Sequence, residues 1–181
     1  MALGIQFTIA ANLGTDPMTM FWTGISNLFS ITIGESNILI SLFLMIIAFF
    51  IDRKQLHIGS FINPIIIYIT LEFFNFINFV SFSSMLRLIL LIIGYSMLSF
   101  GIALYSKQEC GKGAYEAFVF AISNKAHLSV GKVRTICDIT LGFMGCILGA
   151  KFSIGTLIAI LFIGSCVQYF LNLCSKMEGE C

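Results

Sequence analysis

Carboxylates occur here inside runs that are otherwise hydrocarbon. Glu72 stands within "IIIYITLEFFNFINF", and an ionised side chain near the centre of a bilayer costs roughly 3 kcal/mol or more. A residue held at that cost suits ion or proton coupling, in which a carboxylate takes up and releases a cation. Asp138 follows Arg134 by four residues, the spacing at which helical side chains pair. Glu116 falls in the first turn of a short helix, where the helix dipole favours an anion. Asn12, Asn63 and Gln168 (in "SCVQYF") add neutral polar groups. Pro64 after Asn63 predicts a kink, and its freed carbonyl offers a ligand or cation an acceptor. Each residue also has a plainer role open to it. Glu72 can snorkel or bond a neighbouring helix, Arg134 and Asp138 can clasp near the interface, and Glu116 can simply start a helix. Glu35 fits a solvated helix end, and Trp22 and Tyr115 fit interface anchors.

No catalytic constellation accompanies them. His57 and His127 lie in predicted loops without ligand spacing. There is no G-x-S-x-G, H-E-x-x-H or phosphate-binding loop. The expectation is a protein that is not an enzyme and uses no cofactor or metal. Six cysteines (Cys110, Cys137, Cys146, Cys166, Cys174 and Cys181) include no C-x-x-C pair. They read as small apolar residues of spans, because neither metal spacing nor a disulfide frame is present.

Composition identifies the solvent. The 181 residues are 58% hydrophobic and 10% charged, with mean hydropathy +0.98, against roughly 25% charged in a soluble domain. A soluble fold could not hide that much apolar surface, so the first partner is the lipid bilayer. The net charge is +1 and no basic block suggests nucleic acid. Met1 is followed at once by an apolar stretch, so no charged leader of a secretory signal is read.

Apolar runs predict spans at about 36–51, 58–80, 85–106, 133–150 and 154–174. The opening "MALGIQFTIAANLG" has 14 residues and reaches roughly 21 Å, short of a core about 30 Å thick. A repeat accounts for it. Gly4, Gly14, Ser26-Asn27 and Gly34 recur 97 positions later as Gly101, Gly111, Ser123-Asn124 and Gly131. Ile58-Gly59-Ser60 recurs as Ile154-Gly155-Thr156. Each unit reads as long helix, polar glycine turn, short helix and two long helices. The short helices run Met18 to Leu28 and Ala114 to Asn124. Repeat one covers 1–80 and lacks most of its first span, repeat two covers 84–175, and 176–181 is a polar tail.

Charge decides whether the short helices cross, because cytoplasmic loops collect Lys and Arg. If they do not cross, eight cations share one side against Arg87 and Lys151; if they cross, the split is five against five. The first pattern is the expected bias. It gives three crossings per unit, so the repeats are inverted and the C-terminus is cytoplasmic. Gly14, Asp16 and Pro17 then break the chain outside, and Gly111 and Gly113 break it inside. The short helices either re-enter the membrane, where irregular backbone needs protein or a water-filled cavity around it, or lie flat at the interface. The predicted fold is an all-α integral membrane protein of about six transmembrane helices, the first truncated.

The stretches "GIQFTIAANLGTDPM", "GISNLFSITIGESNILI" and "LHIGSFINPIIIYI", with "FSIGTLIAILFIGSCVQYF" in the second half, resemble the YczE/YyaS/YitT family. The resemblance covers almost the whole chain. Met18 stands where that family's pattern has Trp after the Pro, and the first span is cut short. The resemblance implies a polytopic protein of the bacterial inner membrane.

Three functions fit. A small-solute transporter would place a site between the repeats, with Asn12, Gly14, Asp16, Asn63, Glu72, Gly111, Gly113, Glu116, Asp138 and Gln168 as candidate pathway residues and Glu72 as the coupling group. A substrate-binding subunit of a larger importer would dock a partner through the G-x-x-x-G of Gly145 and Gly149. A non-transporting accessory protein is the remaining alternative that the composition allows. A homo-oligomer or a partner membrane subunit is open in each case.

Overall fold

The computed structural model describes residues 1–74, 83–107 and 112–179, save the side chains of 107 and 175–179. Gly111, Cys110, Cys181 and the stretch 75–80 of the second expected span lie outside the described residues. These form eight helices and no strand. They are α1 Ala2–Ala11, α2 Pro17–Phe29, α3 Ile33–Asp52, α4 Ile58–Phe73, α5 Ser84–Lys107, α6 Ala114–Ala126, α7 Val130–Ile147 and α8 Ile154–Gly179, with a 3-10 turn Arg53–Gln55 between α3 and α4.

The helix ends follow from local chemistry. Asp16 caps α2, accepting from the Thr19 N–H at 3.1 Å and the Thr19 hydroxyl at 2.6 Å. Pro17 follows at the first helical position, where its missing N–H is no loss. Thr32 and Glu35 form a reciprocal capping box at the start of α3, which orders Glu35 although it stays exposed. Ser30 and His127 end α2 and α6 in the left-handed region, both at φ 54°. The turns after them match: Ser26 donates to the Ile31 carbonyl at 2.5 Å and Ser123 to the Leu128 carbonyl at 2.6 Å. Pro17 and Ala114 start helices 97 positions apart, as do Ile33 and Val130; Ile58 and Ile154 start theirs 96 apart.

Three helices are long and apolar enough to cross a membrane, within Ile33–Gln55, Ser84–Ser106 and Ile154–Cys174. The five long spans expected from sequence reduce to these three among the described residues. The described part of α4 is 16 residues. In α7, Lys132, Arg134 and Asp138 lower the apolar content, because part of this helix faces protein rather than lipid. Large apolar side chains cover the outside, including Phe50, Ile58, Phe143 and Leu161. A surface of this kind belongs in a bilayer, and the protein is a membrane protein.

Glycines set the closest contacts. A Cβ on Gly4 would fall 2.7 Å from the Gly94 carbonyl oxygen and 2.8 Å from the Leu98 nitrogen, so α1 lies backbone to backbone on α5. A Cβ on Gly145 would meet the Met20 backbone at 3.1 Å, where α2 packs on α7. Gly149 has already left α7, at φ 84°. Gly145 of the G-x-x-x-G is therefore covered within the chain, and Gly149 is exposed beyond the helix end. In the other half α6 packs on α3 in the way α2 packs on α7.

The 20 residues of α3 separate two ends of the molecule by about 30 Å. At the Asp52 end, Lys112 donates to the Gln55 side chain at 2.5 Å and Asn124 to Asp52 at 3.4 Å. The residue before the α6 cap and the last turn of α6 thus both reach this end. Burial pulls the Lys112 ammonium below its ordinary range, with the Asp52 charge opposing. At the Ile33 end, Arg87 donates to the carbonyls of Ala11 and Asn12, both at 2.7 Å, placing a cation at the C-terminus of α1. There Ser153 donates to the Leu13 carbonyl and Gly155 N–H to the same oxygen at 3.0 Å.

Candidate functional site

The two short helices begin at one cavity. Asp16 and Met18 from the start of α2, and Ala114, Tyr115 and Glu116 from the start of α6, line a space of about 30 Å³ together with Trp22, Asn37, Ser41, Asn63 and Arg134. That is room for one or two waters. The loops before the two helices keep to opposite ends, Leu13 on Ser153 and Lys112 on Gln55 and Ser60. The helices they start converge.

Charge is concentrated around this space. Arg134 on α7 is 4% exposed, and its Nη1 lies 3.4 Å from Glu116 Oε1. Its Nε lies 3.7 Å from Asp138 Oδ2, one turn along the same helix. The guanidinium stands over the Tyr115 ring at 5.1 Å, and the Tyr115 hydroxyl donates to Asp138 Oδ1 at 2.5 Å. Asp16 is buried and lines the same space as Arg134. Two carboxylates thus share one buried guanidinium.

Gly113 caps α6 and makes the approach possible. A Cβ there would collide with Glu116 Oε2 and stand 3.1 Å from Asn63 Oδ1, so glycine lets both oxygens crowd the helix start. On the opposite wall the groups are neutral. Asn37 donates to the Pro64 carbonyl at 2.9 Å and Ser41 to Asn37 at 3.2 Å. Trp22 is buried and its indole N–H has no partner among the described residues.

The expected pathway residues divide accordingly. Asp16, Asn63, Gly113 and Glu116 come together, and Asp138 joins through Arg134 and Tyr115. Asn12 and Gly14 line a separate cavity of about 370 Å³ with Thr15, Thr23, Asn27 and Lys151. Glu72 is exposed and lies with Gln6 and Thr32 at the Ile33 end of the molecule. A Cβ on Gly34 would stand 3.2 Å from its carboxylate. Gln168 holds the matching place against Gly131, accepting from that N–H at 3.3 Å. Neither Glu72 nor Gln168 lines the central cavity, so the coupling role expected of Glu72 has no support in its position.

Two corrections follow from burial. Arg134 counts among the loop cations in the sequence reading, but it is buried, which leaves seven loop cations against two without crossing short helices and five against four with them. Trp22 and Tyr115 are buried at the cavity rather than anchored at an interface. The contact from Glu116 to Arg134 was missed by sequence reasoning. Its available signal was the repeat comparison: Arg134 and Asp138 stand where the first half has Asn37 and Ser41.

A family model described as a family of unknown function, DUF6198, matches residues 1–172. An uncharacterised protein of Haemophilus influenzae is 29% identical over 177 residues, covering 98% of this chain and 81% of that protein. The uncharacterised membrane protein YczE of Bacillus subtilis is 24% identical over 172 residues, covering 94% and 80%. The uncharacterised protein YyaS of the same organism is 25% identical over 179 residues, covering 97% and 89%. These agree with the YczE and YyaS resemblance read from the motifs. No solved structure matches.

Proposed function

The chain belongs to DUF6198, a family of unknown function, and from the site itself we propose that it is a transporter of a small solute, not an enzyme, in the bacterial cytoplasmic membrane. The reading takes the chain as two inverted repeats of three spans each, 1–80 and 84–175, with the C-terminus in the cytoplasm. One observation carries it: two short helices from the two halves start at one buried polar cavity. Helices broken near the midplane, with their N-termini aimed at a site between repeats, are the architecture of secondary transporters. The paired helix starts 97 and 96 positions apart support the repeat. The crossed packing of α2 on α7 and α6 on α3 supports the exchange between halves.

The charge distribution supports the orientation. Arg53, Lys54 and Lys112 gather at the Asp52 end, which is the cytoplasmic end on this reading, and Arg87 and Lys151 stand at the other. Gly145 is covered by α2, which favours the transporter reading over an importer subunit docking through that glycine.

A transporter must open its cavity to each side in turn. On a cysteine-free background, Ser41→Cys is expected to react with a small water-soluble thiol reagent added to right-side-out vesicles, and separately with the same reagent added to inside-out vesicles. Labelling from one side only, or from neither, contradicts the proposal.

A further inference from the structure

We propose that the groove between α3 and α4 holds one anionic phospholipid, with its phosphodiester headgroup on Arg53, Lys54 and His57 and an acyl chain along Leu42, Ile46 and Phe49. The groove lies outside the central cavity, and its occupant is the same whether or not the protein is a transporter.

Two spaces on the outside of the molecule join to form it. The first, of about 300 Å³, is lined only by apolar side chains, from Leu42, Met45 and Ile46 on α3 to Phe61 on α4. The second, of about 420 Å³, is lined by Arg53, Lys54 and His57. Phe49, Leu56 and Phe61 line both, so the apolar part runs directly into the basic part.

The sequence of α3 builds this change. Leu42, Ile46, Phe49 and Arg53 follow at steps of four, three and four, which puts them on one helix face. That face is apolar for two turns and then ends in a cation. Met45 is buried beneath it, while Leu42, Ile46, Phe49 and Phe61 are exposed. From Leu42 to Arg53 is 11 residues, about 16 Å, and one leaflet of the hydrocarbon core is about 15 Å. A lipid lying along the groove therefore brings its phosphate to the basic end.

The charges there are left for a ligand. Asp52 is the one carboxylate of this turn. Its side chain accepts from Gln55 at 2.8 Å, and Gln55 in turn accepts from Lys112 at 2.5 Å. Lys112 thus matches Asp52, and neither residue lines the groove. Arg53 and Lys54 are exposed, and their side chains make no ion pair among the described residues. The end of α3 and the start of α4 meet at this turn, so the two helix dipoles offset each other. Two positive charges remain. Arg grips a phosphate as a fork and Lys as a point charge, and basic pockets between membrane helices receive anionic headgroups. A two-fold dimer across the groove would instead set Arg53 and Lys54 against their own equivalents.

Native mass spectrometry of the purified full-length protein tests this. Protein released from detergent micelles is given phosphatidylglycerol or phosphatidylcholine with identical acyl chains. One phosphatidylglycerol should be retained saturably, about tenfold more tightly than phosphatidylcholine. Arg53→Gln with Lys54→Gln should remove that preference. Lys125→Gln with Lys151→Gln removes the same charge at exposed positions outside the groove and should leave the preference in place. Ile46→Trp, which fills the apolar part, should weaken retention of phosphatidylglycerol, and inorganic phosphate should not displace it. Equal retention of the two lipids, or a preference that survives Arg53→Gln with Lys54→Gln, overturns the proposal. So does an equal loss in the Lys125 and Lys151 variant, which would make total charge the cause. Retention unchanged in Ile46→Trp would remove the acyl chain from the groove, and displacement by inorganic phosphate would make this a site for a free anion. A two-copy complex that carries no lipid and is split by Ile46→Trp would make the groove a contact between copies of the chain.

Discussion

At the scale of single residues, Arg134 decides most. It is the one cation between Glu116 and Asp138, and its burial means that removing it strands both. Arg134→Met should cost about 3–5 kcal/mol, the range for breaking one side of a buried pair, seen as a lowered unfolding midpoint in detergent. Adding Asp138→Leu should return part of the loss, because the stranded charge goes with it; a double variant weaker than the single would show that Arg134 acts through packing alone. Tyr115→Phe should cost about 1.5–3 kcal/mol, the worth of a hydrogen bond to a charged group, since its hydroxyl donates to Asp138. An unchanged midpoint would mean that water replaces the hydroxyl.

Helices and turns were the most legible scale. Pro17 after Asp16 reads as a helix start because proline and a capping carboxylate have few other uses in an apolar chain, and α2 does begin there. The recurrence of Ile-Ser-Asn placed α6 within two residues of its true end. What sequence did not give is contact across elements. Glu116 and Arg134 are 18 positions apart, and only the way α6 settles against α7 brings them to one point. Arg134 looked like a loop cation because the start of α7 is polar, and Glu72 looked central because apolar residues flank it. Burial separates the two, and flanking sequence cannot measure burial. Close packing predicts two costs at this scale. Gly4→Ala pushes backbone against the Gly94 carbonyl and should destabilise by about 1–3 kcal/mol, whereas Gly149→Ala meets no atom within 4 Å and carries only the strain of φ 84°. Asp16→Ala removes the cap of α2 and should cost about 0.5–2 kcal/mol, unless relief of acid crowding offsets it. A raised midpoint would show that the crowding is the larger effect.

For the whole molecule, the proposal requires both short helices to dip to a common centre and the two ends of the molecule to face opposite sides of the membrane. Lys151 and Lys54 are exposed at opposite ends of the molecule. In intact cells, on a cysteine-free background, Lys151→Cys should react with an impermeant thiol reagent and Lys54→Cys should not; the reverse pattern would invert the orientation, and labelling of both would deny that these ends lie across a membrane. The central claim is movement of a solute through the cavity, and it is tested most directly in proteoliposomes. Wild type and Glu116→Gln are supplied with a defined mixture of small polar metabolites, under a Na⁺ gradient and then a proton gradient. The contents are read by mass spectrometry. At least one solute should accumulate in the wild type under one of the two gradients and fail to accumulate in Glu116→Gln. Identical contents in wild-type, variant and protein-free vesicles would contradict the account.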